Sequence, residues 1–315
     1  MVNFMAGIKD IGYYICENRE NNLNKVFNNI TVDEEFVKNK IGIEYVSRKS
    51  NTETTSDLCL KAFENLKKRY NNFDINSIDL ICVCTQNGDY SIPHTSAVLH
   101  HKLGAKKECA SFDISLGCSG YVYSIDIVKS FMEKNNLKNG LLFTADPYST
   151  ILDKNDKNTN LIFGDAASVT LLSNNPEFEL CNSVYQTFGS MYECLIKRDN
   201  EPLFMDGKMI FNFTLQNVPE VIEKTFEINS INQNNIDKFI FHQANKYMVT
   251  KLVKRLKVDI NNVPIDIRNY GNTVSSSIPI ILSEYIQNKS VNHIILCGFG
   301  VGLSTASIYI RRVTG

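Results

Sequence analysis

The sequence predicts an α/β protein built from two similar halves, and two observations lead to that prediction. Segments typical of strands and of helices alternate along the 315 residues, which is the order found in α/β folds. A pattern also recurs, because NSIDLICVCTQ at residues 76–86 is similar to NNIDKFIFHQA at residues 234–244. The segments that follow the two copies match in order and spacing. We therefore expect duplicated halves related by a pseudo-twofold axis, spanning residues 1–174 and 175–315.

The sequence of the first half predicts one helix and two buried strands. Residues 55–70 have the pattern of a helix, with Thr55 or Ser56 as a plausible N-cap. Residues 78–85 and 139–146 have the apolar composition of buried strands. The polar stretch at residues 154–160 indicates a surface loop.

Composition and charge narrow the class of protein. Apolar residues make up 43% of the chain and charged residues 21%, as is usual for a globular protein. The net charge of -1 argues against a general nucleic-acid-binding protein. No apolar stretch is long enough to predict a membrane span, and the N-terminus lacks the pattern of a signal peptide. Nine scattered cysteines are typical of reduced thiols, so we expect a cytoplasmic location.

The sequence does not predict a metal site. Cys82 and Cys84 form a C-x-C pair within a predicted strand, but no second pair of ligands follows them. His94 cannot share one helix face with both His100 and His101. We interpret these histidines as solvated or capping side chains.

Cys118 lies where a predicted strand ends and a predicted helix begins. The sequence around it is FDISLGCSG, residues 112–120, and an apolar pattern with helical spacing follows. The N-terminus of a helix lowers the pKa of a nearby thiol, and the adjacent glycines let another backbone approach closely. A buried structural cysteine is the alternative interpretation, but this position favours a nucleophile.

Two polar side chains of the second half occupy loops that correspond to the loop of Cys118. His242 follows a predicted strand and precedes a helix predicted over residues 243–256, and Asn272 lies in RNYGNTVSSSIP, residues 268–279. Equivalent loops of duplicated halves meet at the centre, so we expect the three side chains at one site. Two neutral N–H donors aimed at one oxygen stabilise a developing enolate. A cysteine protease with histidine as base is the alternative.

A glycine-rich loop, CGFGVGLSTAS at residues 297–307, is the remaining motif. Gly298, Gly300 and Gly302 would let backbone N–H groups point at an oxyanion, although a tight turn explains the same glycines. A P-loop would need Gly-Lys-Ser/Thr, and the dinucleotide motif needs a later glycine that is absent here. The loop therefore does not indicate a nucleotide phosphate.

The motifs DISLGCSG, FHQAN, YGNTVSSSIP and GFGVG, in this order and spacing, resemble the β-ketoacyl-acyl-carrier-protein synthase III family of thiolase-like condensing enzymes. The resemblance covers nearly the whole chain. It implies a five-layered αβαβα sandwich made of two similar halves, assembled as a homodimer. It implies decarboxylative Claisen condensation of an acyl thioester with malonyl-acyl-carrier protein, in fatty-acid or related acyl biosynthesis. No metal or organic cofactor is implied.

The resemblance also implies a role for each site residue. Cys118 accepts the acyl group, and His242 and Asn272 hold the thioester carbonyl of the malonyl group during decarboxylation. The backbone N–H groups of Cys118 and Val301 form the oxyanion hole. Phe299 shields the site beside the histidine.

Further positions match those that contact the substrate in the family. Ile92 matches a residue that reaches across the dimer and helps to set the size of the acyl pocket. Five residues match the mouth that takes CoA or phosphopantetheine: Phe36, Lys40, Lys157, Asn212 and Asn245. Phe36 stands where a tryptophan is common, Lys40 and Lys157 where arginines are common, and Asn212 where a lysine is common. Because lysine lacks the planar guanidinium, an acyl-carrier-protein donor is a hypothesis beside an acyl-CoA donor.

A basic cluster follows His242 along the chain. Its members are Lys246, Lys251, Lys254 and Arg255, of which the last three are spaced to share one helix face. Carrier proteins are acidic, so this face is a candidate docking surface. An ordinary solvated helix face is the alternative.

Three other functions fit parts of the same pattern. An acyltransferase of this fold would pass the acyl group from the cysteine to a hydroxyl or amine, in a sugar or natural-product pathway. A non-enzymatic subunit would bind acyl chains, although such proteins would be expected to lack the nucleophile. A cysteine hydrolase would release the acyl group to water without any malonyl donor.

Overall fold

The fold consists of one mixed sheet with helices on its faces, in a computed structural model that describes residues 5–313. The strands are β1 Gly7–Ile15, β2 Asn18–Asn21, β3 Val26–Phe27, β4 Ile30–Thr31, β5 Tyr45–Arg48, β6 Leu80–Cys84, β7 Ala110–Ile114, β8 Asn139–Ala145, β9 Ala166–Ser173, β10 Phe178–Thr187, β11 Leu195–Ile196, β12 Phe204–Met205, β13 Lys238–Phe241, β14 His293–Gly300 and β15 Ser304–Arg312.

The α-helices are α1 Thr55–Lys67, α2 Thr95–Leu103, α3 Gly120–Asn135, α4 Lys157–Asn160, α5 Gly207–Asn229, α6 Lys246–Leu256 and α7 Ser277–Leu282. A π-helical segment spans Phe36–Ile41. Short 3₁₀ turns occupy Ile75–Ser77, Tyr148–Thr150, Gly189–Cys194, Gln233–Asn235, Ile260–Asn262, Val274–Ser276 and Ser283–Tyr285.

The duplication predicted from the sequence is visible in the sheet. The strand order is β13-β14-β15-β10-β1-β9-β8-β6-β7. In the first half, β6 pairs with β8 in parallel, and β8 with β9 and β9 with β1 are antiparallel pairs. In the second half, β13 pairs with β14 in parallel, and β14 with β15 and β15 with β10 are antiparallel pairs. Within residues 5–313, the two half-sheets pair with each other where Gly7 and Ile8 of β1 meet β10. The predicted boundary at residue 174 falls between β9 and β10, and the division into two domains stays a prediction.

Five layers follow from how the apolar side chains are buried. Helices α1 and α2 pack on the outer face of β6, β8 and β9. Helices α5 and α6 pack on the outer face of the other half-sheet. Helices α3 and α7 lie between the two half-sheets and contact strands of both. The αβαβα arrangement predicted from the resemblance is therefore confirmed.

Helix α3 shows why the central layer forms. Its side chains Tyr121, Ile125, Val128 and Met132 recur at helical spacing and are fully buried. The Tyr121 hydroxyl is 3.0 Å from Thr170 Oγ1, so the one polar atom of that ring has a partner. A helix that is apolar toward both sheets is stable only when it is covered on both sides, which is the position that α3 occupies.

Two predicted boundaries of surface elements are wrong. Thr54, and neither Thr55 nor Ser56, caps α1: its side chain accepts a hydrogen bond from the Asp57 N–H, and the Asp57 carboxylate accepts one from the Thr54 N–H at 2.9 Å. The predicted loop at residues 154–160 contains α4, because the Asp156 side chain accepts from the first N–H groups of that short helix.

Candidate active site

Four loops enclose a buried cavity of about 70 Å³. Cys118 enters it from the turn between β7 and α3, and His242 from the end of β13. Asn272 comes from the segment before α7, and Phe299 and Gly300 from the end of β14. The structure therefore brings together the three polar side chains that the sequence analysis selected.

Cys118 is a buried thiol that faces two backbone N–H groups. The N–H groups of Val301 and of Cys118 itself favour the thiolate and lower the pKa of Cys118. Burial nevertheless raises the pKa of Cys118 to about 12, and the charge of Asp146 raises it further. The pKa of Cys118 therefore lies above its ordinary value, contrary to the lowered pKa expected from a helix N-terminus, because the desolvation of the thiolate outweighs the two N–H groups.

The glycine-rich loop lies directly against the nucleophile. A Cβ atom on Gly300 would lie 2.7 Å from Cys118 Sγ, and one on Gly298 would lie 2.6 Å from the Cys118 carbonyl oxygen. Ser119 Oγ is 2.7 Å from Ser304 Oγ, which fixes the start of α3 to the end of the loop. Glycine is therefore required at both positions for close approach, and this contact carries the Val301 N–H to the sulfur.

His242 is buried and held from its Nδ1 side. Its backbone N–H donates to the Cys297 carbonyl at 2.8 Å, and Nδ1 is 2.8 Å from Ser277 Oγ. Burial lowers the pKa of His242 to about 3, so the imidazole is neutral at physiological pH. The Phe299 ring meets the imidazole edge-on at 5.5 Å between centroids.

Asn272 is oriented by its own backbone turn. Its Oδ1 accepts from the Val274 N–H at 2.8 Å, which turns Nδ2 toward His242 Nε2 at 3.4 Å. The backbone N–H of Asn272 donates to the Ile162 carbonyl at 2.8 Å. Val274 adopts φ 53°, a left-handed conformation that is rare for a β-branched residue. The strained turn therefore aims the Asn272 amide and the His242 imidazole at one point of the cavity.

Asp146 is a buried carboxylate that the sequence analysis missed. It follows β8 and accepts hydrogen bonds from the Gln86 N–H at 2.7 Å and from the Ser275 hydroxyl. Burial raises the pKa of Asp146 to about 6, although these hydrogen bonds lower it. The contact with Ser275 joins the first half of the chain to the turn that carries Asn272. An acidic residue directly after a buried strand was the available signal.

A second cavity of about 370 Å³ adjoins the site and opens to the surface. Both cavities are lined by Ile162, Met205, Gly207 and Asn245, so they lie next to each other. Helix α6 begins later than residue 243, where it was predicted, because the Asn245 side chain caps it by accepting from the Met248 N–H at 2.8 Å. The N-terminus of α6 therefore forms one wall of both cavities.

Four of the five predicted mouth residues line this outer cavity: Phe36, Lys40, Lys157 and Asn245. Lys157 Nζ lies 5.5 Å from the centroid of the Phe36 ring. Tyr247, which the sequence analysis missed, lies between Lys40 Nζ and Lys251 Nζ, each 5.1 Å from the ring centroid.

Asn212 is the one predicted mouth residue outside the described linings of both cavities, and its role stays a prediction. It is exposed on α5. Lys208, one turn earlier on α5, lines the outer cavity instead. The sequence could have indicated Lys208, because it lies one turn before Asn212 on the same helix.

The basic cluster on α6 lies beside the outer cavity. Lys246, Lys254 and Arg255 are exposed and Lys251 is half-buried. Within residues 5–313, none of these four cations has a carboxylate oxygen within 4.0 Å. Lys246 packs against Gly42, at the end of the π-helical segment, which keeps the cluster next to Phe36 and Lys40.

Ile92 does not line either cavity. Its side chain is 88% exposed. The loop that carries it leads into α2, whose first N–H groups, those of Thr95 and Ser96, donate to the Asp113 carboxylate of β7 at 2.6 and 2.8 Å. Strand β7 is the last strand of the sheet, so Ile92 is held beside an open sheet edge.

The described part of the chain contains neither a metal-binding cluster nor a membrane-spanning helix. Between residues 5 and 313, no three His, Cys, Asp or Glu side chains are grouped so that they could hold a metal ion. In the same part of the chain, no helix has the length and apolar character needed to cross a membrane.

Comparison with known proteins gives consistent matches. Residues 112–189 match the family model for 3-oxoacyl-[acyl-carrier-protein (ACP)] synthase III, and residues 226–312 match the model for its C-terminal part. The β-ketoacyl-[acyl-carrier-protein] synthases III of Streptococcus mutans and Lactobacillus helveticus are each 30% identical to this chain, over 97% and 88% of it and 99% and 90% of their own lengths. A crystal structure of a 3-oxoacyl-(acyl-carrier-protein) synthase III superposes with a TM-score of 0.90 at 30% identity, covering 98% of this chain and 99% of the other.

Proposed function

Because this chain belongs to the β-ketoacyl-[acyl-carrier-protein] synthase III family, we propose that it condenses an acyl thioester with malonyl-acyl-carrier protein through an acyl group on Cys118. The observation that carries the proposal is the shared cavity of Cys118, His242 and Asn272. It combines one nucleophile with two neutral hydrogen-bond donors, which is the set that a decarboxylative condensation needs.

In the first step the Cys118 sulfur attacks the carbonyl carbon of the acyl donor. The new carbon–sulfur bond replaces the bond to the donor thiol, which leaves with the proton that Cys118 loses. The N–H groups of Val301 and Cys118 already point at Sγ, so they lie beside the oxyanion that forms on the attacked carbonyl. Because burial raises the pKa of Cys118 to about 12, the thiol is expected to lose its proton during the attack.

In the second step the malonyl group loses CO₂. The electron pair of the broken carbon–carbon bond stays on the thioester as an enolate and then forms the new carbon–carbon bond. Asn272 Nδ2 and His242 Nε2 are 3.4 Å apart, so one thioester oxygen placed between them can accept from both. Their hydrogen bonds stabilise the enolate left by decarboxylation. The enolate carbon then attacks the acyl-Cys118 carbonyl, which gives the β-ketoacyl thioester and releases the Cys118 thiolate.

The substrate arm would reach the nucleophile through the two adjoining cavities. Asn245 lines both of them and Phe36 lines the outer one. A phosphopantetheine arm is common to CoA and to carrier proteins, so the passage serves both steps. Phe36 with Lys157, and Tyr247 with Lys40, offer flat rings and cations to the outer part of an acyl-CoA or to the phosphate of an acyl-carrier protein.

The basic cluster of Lys246, Lys251, Lys254 and Arg255 is proposed to dock the carrier protein. Its cations have no ion-pair partner within the described chain and lie beside the outer cavity. An acidic carrier protein would supply the missing negative charges. The arm of a carrier bound here would point into the passage.

A homodimer is proposed from the open edge of the sheet. Strand β7 is half-buried along its length and has one free edge. Next to it, a groove of about 530 Å³ is lined by Ile127, Phe131 and Tyr185, which are 42%, 36% and 38% exposed. Unpaired strand edges and apolar side chains together favour a second copy of the chain. In such a dimer Ile92 would reach the partner, as the family resemblance implies.

We further propose that the enzyme works in the cytoplasm, without nucleic-acid partners. All nine cysteines are free thiols, as is typical of a reducing compartment. The net charge of -1 gives no electrostatic attraction to nucleic acid.

Intact mass measurement tests the reaction directly. The purified protein is incubated with a panel of acyl-CoAs and acyl-carrier proteins, with and without malonyl-carrier protein. We expect an acyl adduct that the variant Cys118→Ala lacks and that Cys181→Ser retains, since Cys181 is a half-buried thiol of β10. Malonyl-carrier protein should discharge the adduct as β-ketoacyl-carrier protein. Discharge only by a hydroxyl or amine acceptor would instead establish the acyltransferase, and no adduct from any donor would refute the assignment of Cys118.

A further inference from the structure

Three consecutive serines after Asn272 each make a different buried contact. Ser275 donates to Asp146, and Ser276 Oγ is 2.8 Å from Thr144 Oγ1 in β8. Ser277 Oγ lies 2.8 Å from His242 Nδ1. The first two therefore attach the turn to the other half of the chain, whereas the third contacts a residue of the site.

The hydroxyl of Ser277 has one hydrogen and two possible acceptors. His242 Nδ1 lies at 2.8 Å and the Val274 carbonyl oxygen at 2.9 Å. The Gln243 N–H, at 3.4 Å, donates to the same hydroxyl oxygen. Ser277 is 2% exposed, so water does not compete for this hydrogen. The direction of this hydrogen and the position of the hydrogen on the imidazole are therefore coupled.

A neutral imidazole carries its single hydrogen on one nitrogen only. When Ser277 donates to Nδ1, the hydrogen of His242 is on Nε2 and points into the cavity. When Ser277 donates to Val274, the hydrogen is on Nδ1, and Nε2 can only accept. A substrate oxygen between His242 and Asn272 is itself an acceptor, so it requires the first arrangement.

We propose that Ser277 is a positioning residue for malonyl decarboxylation, because its hydroxyl holds the hydrogen of His242 on Nε2 when the thioester oxygen is bound. The inference rests on the proposed function. The Val274 turn links both donors: its N–H orients Asn272, and its carbonyl is the acceptor to which Ser277 turns while the site is empty. Ser277 acts through His242 and does not contact the substrate.

Separate measurement of the two half-reactions tests the proposal. In Ser277→Ala, placing the hydrogen on Nε2 leaves Nδ1 buried without a donor, which is costly. We expect transfer of the acyl group to Cys118 within about twofold of wild type, and decarboxylation by pre-acylated enzyme about 10- to 100-fold slower, or about 1.4–2.7 kcal/mol in the barrier. Ser277→Thr keeps a hydroxyl and should recover most of the rate. Ser276→Ala is the matched control, since it removes a buried hydroxyl of the same turn that does not contact His242, and it should stay within about threefold.

Nitrogen NMR of the histidines in wild-type protein gives an independent test that needs no variant. With a malonyl thioester analogue bound, in which a sulfonate replaces the carboxylate, we expect the hydrogen of His242 on Nε2. A hydrogen on Nδ1 in that complex would overturn the proposal. It would also be overturned if Ser277→Ala decarboxylated at the wild-type rate or slowed both half-reactions equally. Failure of wild-type protein to condense any donor with malonyl-carrier protein would instead refute the proposed function.

Discussion

Replacing Asp146 with asparagine is expected to remove a part of the pH dependence of stability. The carboxylate is fully buried, and burial raises its pKa from 3.8 to about 6. One pKa unit corresponds to about 1.36 kcal/mol. A shift of about two units therefore means that ionised Asp146 costs the folded state about 3 kcal/mol relative to the unfolded chain.

The sign follows from where the proton binds more tightly. The folded state holds the Asp146 proton more tightly than the unfolded chain does, so this contribution to stability is fully present below pH 3.8. It is lost as pH rises through about 6. Asparagine has no such proton. Between pH 4 and pH 8, Asp146→Asn should therefore gain about 2–3 kcal/mol in unfolding free energy relative to wild type.

Urea unfolding at both pH values measures this gain. Wild type and variant are compared at one protein concentration, because association stabilises the folded state. Asp199→Asn, which changes an exposed carboxylate, is the matched control and should leave the pH dependence of wild type unchanged. A difference between wild type and Asp146→Asn that stays constant within about 0.5 kcal/mol from pH 4 to pH 8 would refute the argument from burial.

Three further outcomes are expected. Asp146→Asn should move the pH midpoint of Cys118 alkylation to lower pH, because the charge of Asp146 raises the pKa of that thiol; an unmoved or higher midpoint contradicts this. Gly300→Ala should abolish acylation, since its Cβ would lie 2.7 Å from Cys118 Sγ, whereas Gly189→Ala, with no atom within 4 Å of its added Cβ, should remain active; an active Gly300→Ala would show that the loop can yield. The double variant Lys251→Glu and Lys254→Glu should raise the KM for malonyl-carrier protein about tenfold with kcat little changed, and Lys68→Glu, an exposed lysine of another surface, should not; equal effects of both would exclude the α6 cluster as the docking face.

The nucleophile and its two donors could be predicted because each lies in a loop that the duplication makes equivalent. The copies at residues 76–86 and 234–244 give the strand that ends at His242, and glycines mark the turns. Local chain geometry fixes such positions. The same reasoning predicted α3, whose apolar side chains recur at helical spacing over a full 16 residues.

Other features depend on contacts between distant segments, which sequence spacing does not report. Asp146 and Ser275 are 129 residues apart, and so are not linked by any local pattern. The raised pKa of Cys118 results from burial by several loops at once, which outweighs the helix end next to it in sequence. On α5, Lys208 lines the outer cavity and Asn212 does not, because the packing of that helix turns only its first turn toward the cavity.

The same contacts explain why the two halves must work as one unit. The nucleophile belongs to the first half and both donors to the second, yet the half-sheets are joined by the short pairing between Gly7, Ile8 and β10. The site is joined more firmly. Asn272 is bound through its backbone to Ile162, at 2.8 Å, and Ser275 to Asp146. Aligning Cys118 with the donors therefore depends on these two hydrogen bonds, and losing the one between Ser275 and Asp146 should slow condensation before it unfolds either half.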